Sequence, residues 1–350
     1  MITKENEKFM LRCIELAKLG SGNVSTNPMV GAVIVHNGKI IGEGFHKKFG
    51  QAHAEVNAIN SVKTPELLKE SEIYVSLEPC AHFGKTPPCA DLIIQKGIKK
   101  VYVGCLDPFS KVDGKGILKL RQAGIEVVTG ILEKECQELN RRFFTFVNLK
   151  RPYVILKWAQ SLDGFLDKDF RPTKISNPLT NILNHKFRKE EDAILIGTST
   201  AERDNPRLDN RLFYGKNPVR IVLDRTLRLK KDLNIFDNRS ITIILTEKDV
   251  ENDLSNTIYK KINFQENLAK NILNALYELN IQSVIIEGGA KTHKIFLEAN
   301  LWDEIRIFET NEMLFSGTKA ALLPKATLTE QTNIADNKFM IFKNQCFTIL

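Results

Sequence analysis

One histidine and two cysteines constrain this chain more than anything else in it. His53-Ala54-Glu55 is followed by Pro79-Cys80 and, nine positions after that cysteine, by Pro88-Cys89. Zinc accepts imidazole nitrogen and thiolate sulfur, and a catalytic zinc keeps three protein ligands with a fourth position open to water. His53, Cys80 and Cys89 supply three. A structural zinc would want a fourth ligand, commonly from paired C-x-x-C elements, and the sequence contains no such pair. The fold must therefore bring the end of a strand, just before Cys80, to the start of a helix at Cys89, where unpaired amides favour the thiolate a metal requires. Glu55, two residues after the histidine, sits beside the metal without being a preferred ligand, which suits a carboxylate that moves protons between water and a leaving group. The chemistry implied is hydrolytic.

At 350 residues the chain exceeds what one hydrophobic core usually organises, so two domains are expected. The longest apolar runs, such as 30–35 and 283–286, have strand length, far below the roughly 20 residues of a membrane span. The mixed-charge start, Met1 to Lys8, lacks a secretory pattern, so a cytoplasmic protein is expected. Six cysteines are too sparse for a disulfide framework and read as reduced thiols or metal ligands. A net charge of +8 would attract phosphates, but the basic residues are spread along the chain, which gives no specific argument for nucleic acid.

Helical spacing over 7–19 ends at Gly20, and runs at 29–35 and 39–44 flank Asn37-Gly38, a two-residue hairpin signal. Further strands are expected at 73–77 and 100–104, with helices at 87–96 and 133–142. The boundary falls near Asn148 to Pro152, giving domains 1–148 and 149–350. Beyond it, β-rich runs at 153–157, 193–197, 219–223, 241–246 and 283–287 alternate with helical segments at 179–189 and 267–279, which predicts a second sheet with several parallel strands. The polar stretch 247–265 carries no readable pattern.

The histidine and cysteine motifs differ from the zinc-deaminase signature, H-x-E then P-C-x-x-C, mainly by a longer gap between the cysteines. Together with Asn27-Pro28-Met29-Val30-Gly31, Gly44-Phe45-His46, His53-Ala54-Glu55-Val56 and the whole of Leu77 to Cys89, they make the chain resemble the bifunctional riboflavin-biosynthesis deaminase-reductase family. The resemblance implies a cytidine-deaminase-like three-layer α/β/α domain. In it His53, Cys80 and Cys89 would hold Zn2+, and Glu55 would be the proton shuttle in deaminating a diaminopyrimidinone that carries ribose 5-phosphate. It also implies that Asn27, His46, His82 and Lys85 line that substrate site.

The second half lacks the G-x-G-x-x-G fingerprint. It resembles the same family's dihydrofolate-reductase-like α/β domain through Leu156 to Gly164, Ile194 to Thr200, Asp204-Asn205-Pro206-Arg207-Leu208, Arg211 and Glu287-Gly288-Gly289. Carried over by position, Ala159, Thr200, Asp204, Glu287, Gly288 and Gly289 would contact NADPH. Lys157, Ser176, Arg188, Leu208 and Arg211 would face the phosphorylated substrate, whose ribosyl group is reduced to ribityl. One segment departs: where the family shows a Ser-x-Trp-Ile-Thr-like run, this chain reads Pro172-Thr173-Lys174-Ile175-Ser176, in which Ser176 can supply the threonine's hydroxyl. Residues after Asn300 receive no site.

The expected partner is a small phosphorylated pyrimidine, with neither nucleic acid nor membrane, and homo-oligomerisation is left open. Two alternatives use the same zinc half: a deaminase acting on nucleic-acid bases, and a deaminase whose reductase-like domain is inactive.

Overall fold

The computed structural model describes residues 2–81, 83, 87–109, 112–251 and 256–347. Contacts divide the chain into two compact units, Met1–Leu149 and Lys150–Leu350.

The first unit runs α1 (Lys4–Lys18), β1 (Gly31–His36), β2 (Lys39–Phe45), α2 (Ala54–Asn60), β3 (Glu72–Leu77), α3 (Cys89–Gln95), β4 (Lys100–Cys105), α4 (Lys115–Gln122), β5 (Glu126–Thr129), α5 (Glu133–Leu139) and α6 (Arg141–Leu149). Its sheet has the order β2-β1-β3-β4-β5, antiparallel through β2, β1 and β3 and parallel from β3 to β5. Asn37 and Gly38 both take positive φ (48° and 70°), the backbone that a two-residue hairpin needs. Alternate strand residues feed two apolar layers. Ile34, Ile73, Val75 and Val103 pack with Ala58 of α2, Ile93 of α3 and Leu120 of α4. On the opposite face Phe9 of α1 meets Tyr74, whose ring stacks on Tyr102 at 4.2 Å. Three layers, α/β/α, result.

The second unit runs β6 (Tyr153–Gln160), α7 (Pro178–Glu190), β7 (Ala193–Gly197), α8 (Thr198–Asp204), β8 (Val219–Leu223), β9 (Thr242–Thr246), β10 (Thr257–Lys261), α9 (Leu268–Glu278), β11 (Ser283–Ile286), α10 (Ala290–Glu298), β12 (Glu304–Thr310), β13 (Ala326–Ile334) and β14 (Asn337–Asn344). The sheet order is β10-β9-β8-β7-β11-β6-β12-β14-β13. Strands from β10 to β12 run parallel, and the β13–β14 pair is added antiparallel at one edge. Residues such as Leu156, Leu195 and Ile286 pack under α9 and α10, while Ile155, Ile194 and Ile285 pack with Phe187 of α7. Burial on both faces explains why these strands read as unbroken apolar runs. Arg151 clamps the first strand to the last third of the chain: both its terminal nitrogens reach the buried Asp303 carboxylate (2.6 and 2.8 Å), which also accepts the amide of Val154.

The structure departs from the sequence expectations in three places. The helix expected over 133–142 is two helices, because the chain breaks at Asn140, whose side-chain amide accepts from the backbone N–H of Met29 and donates to its carbonyl. That clamp takes the polar groups of Met29 out of the sheet, so β1 starts at Gly31 instead of at 29. The unreadable stretch 247–265 contains β10, an edge strand of polar character. No described helix is long and apolar enough to cross a membrane.

Candidate active sites

In the first unit the site lies where β3 ends and two helices begin. His53 is the N-cap of α2, with Glu55 in the first turn; Cys89 opens α3 behind its N-cap Pro88, and Cys80 follows the end of β3. His53 Nδ1 stands 3.6 Å from Cys80 Sγ and 3.4 Å from Cys89 Sγ. All three ligand atoms lie within 4.8 Å of one another. Zinc–sulfur and zinc–nitrogen bonds of about 2.3 and 2.0 Å at a tetrahedral angle put N and S about 3.5 Å apart, so the described residues fit zinc without rearrangement. The hydrogen bond from the Cys89 thiol, helped by His53 against an opposing burial, holds Cys80 down at about 4. The same contact and burial push Cys89 up. The thiol pair thus already favours one negative charge, and a divalent cation would take the second proton's place.

Glu55 is 3 % exposed, and burial, followed by the charge of Cys80, pushes its carboxyl up to about 7. Asn27 Nδ2 donates to His46 Nε2 (3.1 Å), which leaves the ring proton on Nδ1 to meet the carbonyl of Ala52 (3.1 Å). Burial lowers the His46 pKa, consistent with a neutral ring, and that ring sits edge-on to His53 at 5.4 Å. The structure thus brings together six of the eight residues expected here; His82 and Lys85 lie outside the described residues.

Sequence reasoning missed Glu78. Its buried carboxylate accepts backbone amides of Gly114 (3.0 Å), Gly116 (2.9 Å) and Ile117 (3.3 Å), tying the start of α4 to the residues just ahead of Cys80. A Cβ at Gly116 would stand 1.9 Å from the Pro79 carbonyl, so only glycine permits this approach. The available signal was the acid adjoining Pro79-Cys80, but its partners are backbone groups and leave no trace in side-chain identity.

The second unit holds a cleft of about 1100 Å³ at the carboxyl ends of its parallel strands. Ligands bind there in open α/β sheets. Lys157, Ala159, Ser176, Thr200, Asp204, Glu287 and Gly289 line it, as does Lys174, which stands in the segment that departs from the family pattern. Arg188 reaches the cleft through Glu287, which it grips with Nε (3.2 Å) and Nη2 (2.8 Å). Burial alone would raise Glu287, yet the charges of Arg188 and Lys157 hold it at about 2. Burial pushes Lys157 down to about 8. The Gly289 amide donates to the Thr200 hydroxyl (3.1 Å), joining the starts of α8 and α10.

Three expected residues stand differently. Gly288 lies against the backbone of Ile196 and Gly197, where a Cβ would meet atoms at 2.8 to 3.0 Å, so its smallness serves close packing. Leu208 is buried in the apolar layer beside Phe187, which leaves its backbone for any ligand contact. Arg211 is half exposed and ion-paired to Asp209.

A family model described as "Cytidine and deoxycytidylate deaminase zinc-binding region" matches residues 3–105, and one described as "RibD C-terminal domain" matches 152–317. The riboflavin biosynthesis protein RibD of Aquifex aeolicus is 39% identical over 97% of this chain and 96% of its own length. The chain belongs to the RibD family. The RibD protein of Bacillus amyloliquefaciens is 40% identical over 91% of this chain and 87% of its own. A Thermotoga maritima crystal structure, described as a diaminohydroxyphosphoribosylaminopyrimidine deaminase/5-amino-6-(5-phosphoribosylamino)uracil reductase, superposes with a TM-score of 0.89 at 38% identity, covering 97% of this chain and 98% of that one. Acinetobacter baumannii RibD superposes at 0.88 with 32% identity, covering 97% of this chain and 99% of its own. As a RibD protein, the chain is a bifunctional enzyme of riboflavin biosynthesis, a zinc-dependent deaminase followed by an NADPH-dependent reductase, acting on a phosphorylated pyrimidine.

Proposed function

We propose that His53, Cys80 and Cys89 hold the zinc and that Glu55 moves the protons of deamination. The observation that carries this reading is the convergence of the three ligand atoms beside a buried carboxyl. Zinc, when bound, supplies a Lewis acid that makes water nucleophilic at neutral pH. Glu55 Oε would take a proton from water as the water oxygen bonds to the ring carbon and deliver it to the ring nitrogen, then move the proton of the new hydroxyl to the exocyclic amine, so that the C–N bond breaks and ammonia leaves as the ring carbon becomes a carbonyl. A carboxyl pushed up to about 7 suits both halves of that transfer. Asn27 and the neutral His46 present a hydrogen-bonding wall beside the metal ligands, fit to orient a pyrimidine edge.

In the second unit NADPH, when bound, supplies a hydride. Thr200 and Gly289 set the spacing of two strand-to-helix turns for its diphosphate, and Ala159 leaves room for the ring that reacts. Lys157 and Arg188 attract the substrate phosphate, and Glu287 holds Arg188 in place while lining the cleft itself. The alignment of donor and acceptor carbons is the protein's main contribution. Because Lys157 titrates at about 8, it is an ammonium at neutral pH and loses its charge as pH climbs through that value. The reductase KM for phosphorylated substrate is therefore expected to rise several-fold above that pH. Lys157→Met should give a high KM at every pH; a wild-type KM that stays flat would remove Lys157 from phosphate binding.

We place the enzyme in the cytoplasm. All six cysteines are unbridged, and both the small substrate and the reduced cofactor belong to that compartment. Nucleic acid is not proposed as a substrate. The test is a two-step assay on zinc-loaded protein: ammonia release from the diaminopyrimidinone ribosyl phosphate, then NADPH oxidation. Both signals in that order are expected. Ammonia without oxidation would confine activity to the first unit, and neither signal would overturn the reading.

A further inference from the structure

Lys174 lines the second unit's cleft and has no part in the steps above. It stands in the segment that runs into α7, and the backbone is fixed on both sides of it. The Thr173 hydroxyl accepts the Lys168 amide (2.8 Å) and donates to the Arg171 carbonyl (2.9 Å). Asn177 caps α7 by accepting the Thr180 amide (2.9 Å), and its own side-chain amide donates to the Ile334 carbonyl (2.9 Å) and to Asn337 Oδ1 (2.6 Å). The side chain between these anchors is exposed and has no ion pair among the described residues. Acids that share the cleft are engaged elsewhere. Asp167 accepts the amide and hydroxyl of Thr318 (2.8 and 2.7 Å), the Asp224 carboxylate accepts the amides of Arg228 and Leu229, and Glu287 is gripped by Arg188. The Lys174 ammonium is therefore free to meet a ligand.

Position decides which part of a ligand it meets. Asn337 pairs with Thr310 at the end of β12, and β12 lies beside β6 with Phe308 opposite Ala159. Lys174 thus stands at the Ala159 end of the cleft, away from Gly289 and Thr200 in the turns after β11 and β7. Arg188 lies near the far end of α7, about 16 Å along the helix from its start. A substrate whose phosphate is drawn to Lys157 and Arg188, and whose ribose carbon reacts over Ala159, points its pyrimidine toward the start of α7. Deamination changes one edge of that ring, because an exocyclic amine, a donor, becomes a carbonyl, an acceptor. An ammonium carries three donors and no acceptor, so it can tell the two apart. On the substrate reading of the cleft given above, we infer that Lys174 donates to the carbonyl made by the first reaction, so that the reductase selects the deaminated ring over the ring that still carries the amine. An amine in that place would set donor against donor and leave the lysine unpaired, the kind of polar mismatch that discriminates strongly. The aromatic side chain of the family pattern would cover a ring face, whereas a lysine reads an edge.

The test uses the full-length chain in a Glu55→Gln background, so that the amine survives the assay, and follows NADPH-dependent reduction of the two ring forms. The parent chain with Lys174 should favour the deaminated ring by about 100-fold in kcat/KM. Lys174→Met is expected to lower kcat/KM for the deaminated ring about 30-fold, mainly through KM, while the value for the amine-bearing ring stays within about threefold of the parent. Lys174→Arg, which keeps charged donors, should retain most of the preference. Inorganic phosphate should inhibit Lys174→Met as it inhibits the parent, because the phosphate end of the substrate lies elsewhere. Equal losses on both ring forms, a preference that survives in Lys174→Met, or a weakened grip on inorganic phosphate would overturn the proposal alone. A parent chain that reduces neither ring form would overturn the substrate reading and the proposal together.

Discussion

Replacing Cys80 with serine is expected to strip zinc from the first unit and abolish ammonia release, while NADPH-dependent reduction of the deaminated intermediate continues. A serine hydroxyl is not ionised at neutral pH, whereas the Cys80 thiol, at about 4, is. The variant would leave His53 and Cys89 as the remaining protein ligands, one short of the three that a catalytic zinc requires. Deamination should fall by about four orders of magnitude or more, since the metal makes the nucleophile. The Lys157–Glu287–Arg188 array and the cleft around it belong entirely to the second unit, so the reductase has its own machinery. Metal analysis, ammonia release and NADPH consumption from supplied intermediate give the three readings. Equal loss of both activities would show that the two sites are not independent.

Glu55→Gln is expected to act differently, keeping zinc at wild-type stoichiometry while lowering the deamination rate by about 1000-fold. Glutamine matches the shape of glutamate, and Glu55 points toward the Cys89 sulfur without being one of the three converging ligands. What the substitution removes is the capacity to take a proton and return it. Glu55→Asp should restore only a small part of the rate, because the shortened carboxyl is drawn back toward the α2 backbone. Loss of zinc in Glu55→Gln would recast Glu55 as a structural partner of the ligands, and a rate within about tenfold of wild type would remove it from the proton path.

The zinc constellation was legible because metal ligation demands particular side chains at particular spacings, and His53, Glu55, Cys80 and Cys89 carry that demand in their identities. Strands buried on both faces were legible for a similar reason: β7 is an unbroken apolar run and β8 is one apart from the buried Arg220, and their ends match the expected 193–197 and 219–223. What escaped is held by backbone groups or by partners far along the chain. β10 hides in a polar stretch because an edge strand need bury only part of its surface. The break at Asn140 depends on Met29, more than a hundred residues earlier. Glu78 is held by backbone amides, which leave no mark on side-chain identity. The Arg188–Glu287 pair joins two residues that the sequence had assigned to different ligands.

The place of β6 in its sheet carries a consequence for how the protein is made. Its hydrogen-bonding neighbours are β11 and β12, so Tyr153 waits for Ser283, and the Arg151 clamp waits for Asp303. On a ribosome the first unit is complete before any of β6 has a lasting partner. At typical synthesis rates the intervening roughly 130 residues take on the order of ten seconds. During that interval an apolar strand, Tyr153–Gln160, has emerged with both edges open. Chaperone demand during translation should therefore concentrate on the second half of the chain, and mutations that slow the emergence of β11 should lower yield while leaving the finished enzyme unchanged.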